Sequence, residues 1–421
     1  MKNILIVQNY NANKGDSSVA LAMLTSLRAR VESSDLSFSV TSYDPEKAAC
    51  EYDVDASDFV VNLREIKLQS GWPRIVAAAK EGVWIIYAFI WALSCRYFRL
   101  RLPVPAFKKQ TIDLYEHADV VVLPGGHFFT NLNSVIMNFS HFYAMLIAFA
   151  MRKRTMIYAQ TVGPFFGIWQ WPVRLMTTFV LRNVDVVTLR EKGGLRYCRG
   201  VRKLQQTAEI VFAASTNEPL PQFVGELKQA CSDEHQLVGF TIHHLYYKHF
   251  FNREQYRDIM AEIFRRIVDK YHATILIVPM EEAVHGGGDR PLAGEMIVQS
   301  GREGDIFVLE DELSPLVTAS VIAATDLFIG TKTHSIVYGL KEGVPTISIS
   351  YQDKSNQFME MFGVRENAID MKDLDADAFM VIFDRVFNSL ALYRHKQEQA
   401  LRHVKSLAEN NNKLLLDLLY E

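Results

Sequence analysis

Short apolar runs rich in β-formers alternate with longer amphipathic stretches along almost the whole chain, and this alternation limits the fold more than any other feature. Residues 4–7 lead through a polar loop into a helical pattern over 17–30, and 38–43 reads as a second strand. Residues 119–123, 155–159 and 185–189 repeat the scheme, each followed by a loop of polar or glycine residues. Strands joined through helices run parallel, so the pattern predicts βαβ units. Over 213–236 it lapses into Ser, Asn, Pro, Gly and charged residues, the mark of a domain linker or a loosely packed connection. It resumes with a strand at 237–242, a helix over 253–271 and strands at 274–278, 327–329 and 346–349. The expected fold is α/β, with two Rossmann-like domains over 1–215 and 232–390 whose sheets face a cleft. A helix over 391–421 is expected to pack back on the first domain.

The length of 421 residues fits two or three domains. A net charge of −3 argues against a nucleic-acid binder, which would carry a strongly basic domain. Cys50, Cys95, Cys198 and Cys231 form no CxxC pair, so they read as free thiols in a reducing cytosol rather than as zinc ligands. The first apolar run is too short for a signal peptide, and a cytoplasmic protein is expected. Residues 72–107 break the regularity. They hold the apolar run 83–95, followed by Arg96, Arg99, Arg101, Lys108 and Lys109. That run is shorter than the ~20 residues that span a bilayer as a helix. It suits either a helix lying in a membrane interface or a buried helix or oligomer contact. A second apolar stretch, 142–151, reads as a sheet-covering helix with a basic end at 152–154.

Ligands bind open parallel sheets at the carboxyl ends of the strands, so the loops there are where chemistry is expected. The first carries Asn13, Gly15 and Asp16 ahead of a helix start, where backbone N–H groups welcome a polar ligand. Asp16 is either a helix cap or a base for a sugar hydroxyl. Gly125, Gly126 and His127 follow the 119–123 strand without the Gly-x-Gly-x-x-Gly spacing of a dinucleotide site. Arg190 ends another strand and offers a fork for a carboxylate or phosphate, or for a local acid such as Glu191. The densest cluster is Lys332, Thr333 and His334 at a strand–helix junction, with Lys354 after the next strand. A histidine among anion-binding groups can pass a proton to a bound ligand. His243, His244 and His285 lack a convincing metal-ligand set and read as lining loops or the cleft, so no metal is expected.

Several of these segments together resemble the polysaccharide pyruvyl transferase family. They are Asn13-x-Gly15-Asp16, Gly125-Gly126, and the run Ala159-Gln160-Thr161-Val162-Gly163-Pro164-Phe165. Leu189-Arg190-Glu191 resembles the family's Arg-Asp segment, with glutamate for the usual aspartate. Gly330-Thr331-Lys332-Thr333-His334, Gly343-Val344-Pro345 and Tyr351-x-x-Lys354 resemble its Arg-x-His block and the lysine after it. Here Lys332 replaces an arginine, which keeps the charge but loses the bidentate fork.

The resemblance implies a two-domain fold of the GT-B type and transfer of the pyruvyl unit of phosphoenolpyruvate onto sugar hydroxyls as a ketal, without a cofactor. It implies His334 as the acid and Asp16 as the base. Arg190, Lys332, Thr333 and Lys354 would hold the donor. Asn13, Gly15, Gly125, Gly126 and His127 would lie at the saccharide acceptor, which a membrane-bound 72–107 segment would suit in lipid-linked form at the inner face of the cytoplasmic membrane. Two other readings fit the sequence: a glycosyltransferase with a nucleotide-sugar donor, and a non-catalytic scaffold of a polysaccharide assembly complex.

Overall fold

A computed structural model describes the chain apart from residues 12–13, 32–34, 64–65, 67, 131–133, 168–170, 216–217, 232–234 and 282–287, and the side chains of 14 and 246. Two compact units emerge, Met1–Ala214 with Lys405–Glu421, and Ser215–Val404.

The first unit is built on seven strands: β1 (Lys2–Asn9), β2 (Leu36–Ser42), β3 (Asp55–Ser57), β4 (Val120–Leu123), β5 (Arg154–Gln160), β6 (Val186–Leu189) and β7 (Leu204–Gln206). Their order is β3-β2-β1-β4-β5-β6-β7, with parallel pairing throughout. The second unit has β8 (Leu237–Phe240), β9 (Thr274–Ile277), β10 (Ile306–Val308), β11 (Leu327–Gly330), β12 (Thr346–Ser350) and β13 (Ala368–Asp370), in the order β10-β9-β8-β11-β12-β13 and again parallel. Residues 4–7 of β1 and all of β8 are apolar and buried. In β1, Ile4 and Ile6 point to one face and Leu5 and Val7 to the other, because side chains alternate along a strand and helices cover both sides.

One stretch departs from expectation. The presumed linker 213–236 contains the helix Gln222–Ala230. Pro221 precedes its first turn, and Val224 is buried against Leu237, Leu276, Val278, Leu309 and Val321, so the segment is part of the second core.

The apolar run at 83–95 is also the middle of something longer, the 28-residue helix Gly71–Phe98. By length and composition that helix is long and apolar enough to cross a membrane. One side is nevertheless tied into the first unit. Trp84 and Trp91 are buried there and donate their indole N–H groups to the carbonyls of Val60 at 2.8 Å and Leu102 at 3.0 Å. Lys108 meets Glu81 of this helix at 2.9 Å in a buried ion pair.

The long helix Leu390–Tyr420 ends on the first unit. Arg154 donates to the carbonyls of Leu418 and Leu419 at 2.9 and 3.0 Å, meeting acceptors that a helix C-terminus leaves open. Buried Asn411 accepts from Thr188 at 2.6 Å and Thr207 at 2.8 Å, and donates to the carbonyls of Ala208 and Ala408 at 2.9 Å each. Removing its amide leaves the Thr188 and Thr207 hydroxyls to donate only through their longer bonds to the Ile157 and Leu189 carbonyls, at 3.4 Å each, and takes a donor from the Ala208 carbonyl. We therefore expect Asn411→Ala to lower the free energy of unfolding by about 2–3 kcal/mol in urea denaturation. A variant as stable as the parent would contradict this bracing role.

Candidate active site

Strand order reverses between β1 and β4 in the first sheet and between β8 and β11 in the second. Helices leave in opposite directions at such a switch point, and a crevice opens beyond the carboxyl ends of the two strands. The loops after β1, β4, β8 and β11 therefore bound the two candidate subsites.

In the second unit, β8 delivers His243 and His244, β9 delivers Glu281, and β11 delivers Thr331, Lys332 and Thr333. Hydroxyls pin these loops together. The Thr331 N–H donates to Thr241 Oγ1 at 2.9 Å, Thr241 and Ser335 share a hydrogen bond at 2.9 Å, and Ser335 donates to the Lys332 carbonyl at 2.7 Å. Gly330 is needed because a Cβ there would lie 2.5 Å from Ile336 Cγ1 and 3.1 Å from the Ile336 nitrogen. The close turn lets the helix Thr333–Lys341 start directly above the strand.

Charge in this subsite is largely compensated. Lys332 Nζ lies 2.9 Å from Glu281 Oε2 and 3.0 Å from Asp289 Oδ2. Asp289 is fully buried and also receives His244 Nδ1 at 3.0 Å and the N–H groups of Met280 and Glu281 at 3.0 Å each. Burial alone would raise the Asp289 carboxyl, but the hydrogen bonds from His244, Lys332 and Met280, with the lysine's charge, hold it below the usual carboxylate range. Burial, reinforced by Lys332, pushes His243 down to about 3, so it is neutral. Its Nδ1 accepts from the Leu245 N–H at 3.4 Å, and its ring meets Tyr351 edge-on at 4.8 Å.

Lys332, expected to hold the donor, is thus itself held by two carboxylates, and an anionic ligand has to compete with them. His334 and Lys354 are both half-buried, each the second residue of a helix, in Thr333–Lys341 and Asp353–Met361. Thr333 Oγ1 and Ser355 Oγ, 3.1 Å apart, join those two helix starts.

His243, His244 and Glu281 also bring one ligand atom each within 4.8 Å of the others, a set that could hold a metal ion and that the sequence spacing conceals. Lys332, on Glu281, already supplies positive charge there. His285 lies outside the described residues.

In the first unit the expected residues divide. Arg190 requires a correction. It is fully buried, pairs with Glu209 and with Glu191 at 3.2 Å, and donates to Thr161 at 2.8 Å and to the Gly126 carbonyl at 3.2 Å. Burial alone would lower its pKa, but Glu209 and Glu191 outweigh burial and raise it. All of its donors face inward, so it ties β4, β5 and β6 loops together instead of meeting a donor substrate. Gly125 is buried too, since a Cβ there would lie 3.1 Å from Glu209 Oε1 and 3.2 Å from the Ala159 carbonyl. Gly126 is buried, and its carbonyl accepts from Arg190 and from the Thr161 N–H at 3.0 Å. His127 is half-buried, with Nε2 at 3.1 Å from the Gly163 carbonyl. Asp16 is half-buried in the first turn of the helix Lys14–Arg28, close enough for its charge to reach Tyr10, Tyr52 and Arg190. Gly15 beside it is buried, and Asn13 lies outside the described residues. Below these loops Phe128 stacks on His141 at 4.5 Å, and burial pushes His141 down to about 3.

Residues 13–353 match the family described as polysaccharide pyruvyl transferase. The chain belongs to the polysaccharide pyruvyl transferase family. A relative within reach of sequence comparison is the amylovoran biosynthesis protein AmsJ of Erwinia amylovora, 23% identical over 99% of each chain. Among solved structures, MnaA of S. aureus with UDP covers 100% of this chain and 98% of its own at TM-score 0.63 and 11% identity. The UDP-GlcNAc 2-epimerase of Neisseria meningitidis bound to UDP-GlcNAc covers 100% of both at 0.63 and 10% identity, and trehalose-6-phosphate synthase OtsA covers 100% and 99% at 0.55 and 12%. These likenesses establish that this pyruvyl transferase family member shares the α/β frame of GT-B glycosyltransferases and epimerases.

Residues that sequence reasoning missed are Glu209, Asp289, Glu281 and Ser355, and His243 and His244 were named there without being joined to the Lys332 cluster. Two outcomes are expected. Arg190→Met strands Glu209 and Glu191 in the interior and should destabilise the protein by about 3–5 kcal/mol in denaturant melts. A full-strength fold would return Arg190 to the pool of ligand-binding cations. The second outcome concerns acid. His141 has a folded pKa below its unfolded value of about 6.5, so its neutral form favours folding above that pH, and this stability is lost as pH falls from there towards 3. Replacing it in His141→Phe should flatten the stability–pH slope between pH 6 and 4 by about 1.4 kcal/mol per unit. Identical slopes would show that His141 takes up its proton in the folded state.

Proposed function

We propose that the chain transfers the pyruvyl group of phosphoenolpyruvate to a sugar of a saccharide as a ketal, releasing phosphate, in the biosynthesis of a surface polysaccharide. Family membership supports a transferase, and the relative named for amylovoran biosynthesis supports an exopolysaccharide product. The observation that carries the donor assignment is the junction of two helix N-termini through Thr333 and Ser355, with His334 and Lys354 on the first turns. Helix starts present N–H groups and positive potential to an anion, and phosphoenolpyruvate carries both a phosphate and a carboxylate. Lys354 adds positive charge, and Lys332 contributes through the share that Glu281 and Asp289 leave to it.

Chemistry follows from the enol phosphate. His334 gives a proton to the CH₂ carbon, which becomes a methyl group, and the adjacent carbon becomes electrophilic. A sugar hydroxyl adds to that carbon, and its proton goes to Asp16. The C–O bond to phosphate then breaks, phosphate leaves, and a second hydroxyl of the same sugar adds to close the ketal while its proton leaves with phosphate. Over a turnover hydrogens balance: one hydroxyl proton leaves with phosphate, and the other, taken by Asp16 and released to solvent, makes up for the proton that His334 gives to the methyl group and regains from solvent. His127 and the Gly15–Asp16 turn are the acceptor contacts in this reading. We further infer a lipid-linked acceptor and a peripheral membrane contact through 72–107, on the strength of that segment's exposed apolar side.

A nucleotide-sugar donor is the second reading, favoured by the likeness to structures bound to UDP and UDP-GlcNAc. The decisive variant is His334→Gln. One lost acid–base group costs typically ~10²–10⁴-fold, so phosphate release from phosphoenolpyruvate should fall by at least ~10²-fold with the melting temperature unchanged. Turnover at the parental rate would remove His334 from the mechanism.

A further inference from the structure

Three helices lie side by side on the face of the first sheet from which Leu5, Val7 and Val121 project. The middle one, Val135–Ala150, touches Gly71–Phe98 on one flank, where Arg96 donates to the Phe149 carbonyl at 3.3 Å. On its other flank it touches Trp171–Asn183, where Phe179 meets Phe142 at 5.8 Å and Phe149 at 6.3 Å. All three present apolar groups outward. Val83, Ile86 and Ile90 are 69%, 66% and 51% exposed along the first helix. Ile136 of the second and Trp171, Leu175 and Phe179 of the third are exposed as well, the last three at i, i+4, i+8 spacing. A groove of about 850 Å³ between the first helix and residues 103–107 is lined almost wholly by apolar side chains. Exposed apolar side chains grouped on neighbouring helices, with an apolar groove beside them, mark an interaction surface.

Beside the third helix lies a second, opposite feature. Arg174, Arg182, Arg196 and Arg199 line one cavity of about 310 Å³. None of the four makes an ion pair with an acid among the described residues, and the contacts they do make are with neutral groups, such as Arg182 with the Arg199 carbonyl at 3.4 Å and Arg196 with the Tyr197 ring at 4.8 Å. Four like charges gathered without an acid repel one another, and an anion is the partner that relieves them. Planar guanidinium forks match phosphate oxygens in particular.

We propose that this three-helix face docks on a bilayer containing anionic lipids, with the apolar side chains at the headgroup–acyl boundary and a lipid phosphate in the four-arginine cavity. Charge complementarity decides the occupant. An apolar surface bordered by unpaired arginines matches a leaflet that offers acyl chains and phosphates together, and two such signals are what stable peripheral binding takes. The proposal enlarges the contact inferred for 72–107 and rests on no part of the donor chemistry, so either can fail alone.

The test is co-sedimentation of the full chain with sucrose-loaded vesicles of phosphatidylcholine, with and without phosphatidylglycerol. The parent should partition to the mixed vesicles at least about tenfold more strongly than to the neutral ones, and added salt should weaken this. Combining Arg174→Gln, Arg182→Gln and Arg196→Gln should abolish the preference for anionic lipid. Combining Ile86→Ser and Ile90→Ser should reduce binding to both vesicle types. Both variants alter exposed positions and should keep the parental melting temperature, which circular dichroism checks. A parent that stays in the supernatant, or an arginine variant that keeps the anionic preference, overturns the proposal. Self-association broken by Ile86→Ser and Ile90→Ser, without vesicle binding, would give the face to a second copy of this chain. Saturable binding of inorganic phosphate without vesicle binding would give the cavity to a free anion.

Discussion

Parallel strands satisfy their backbone hydrogen bonds within the sheet and return through helices, so every loop that leaves a carboxyl end gathers on one edge. Where strand order reverses, between β1 and β4 and again between β8 and β11, neighbouring loops diverge and leave room for a ligand. This constraint chooses the site before any side chain is considered. It brings Asp16 and His127 to one edge and Lys332, Thr333 and His334 to another, from segments far apart in the chain.

Charge management then separates residues that hold the frame from those open to a ligand. Arg190 lies wholly inside, where Glu191 and Glu209 match it, and a buried charge left without such partners would be very costly. Lys332 is intermediate. Its ammonium meets Asp289 in the interior and half-exposed Glu281 nearer the surface, so it fixes the β9 and β11 loops and stays adjacent to the subsite. His334 and Lys354 are half-buried on helix first turns, the positions that the proposed donor site draws on.

Much of this architecture was legible in the sequence, for a physical reason. Buried parallel strands such as 237–240 and 274–277 read as continuous apolar runs, and the helix Arg253–Tyr271 shows itself through a clean amphipathic repeat. The strands that escaped notice, β3, β7, β10 and β13, are the four sheet edges. Each has three residues, too few for a periodicity to register. The loop residues Asp16, His127, Lys332 and His334 were visible because they follow apolar runs. Asp289 was not, and His243 and His244 were not tied to Lys332, because that grouping depends on β8 lying beside both β9 and β11, and strand order leaves no local trace. Arg190 misled for a related reason: its partner Glu209 comes 19 residues later, beyond β7, and only the fold brings them together.

The central claim is that the second unit holds phosphoenolpyruvate at the joined starts of the 333–341 and 353–361 helices. Isothermal titration of the full chain with phosphoenolpyruvate, repeated after Thr333→Val and Lys354→Ala are introduced together, tests it most directly. The account predicts saturable binding of one phosphoenolpyruvate per chain, weakened by about tenfold or more in the double variant. Absence of heat with phosphoenolpyruvate, alongside saturable binding of a nucleotide sugar, would contradict it.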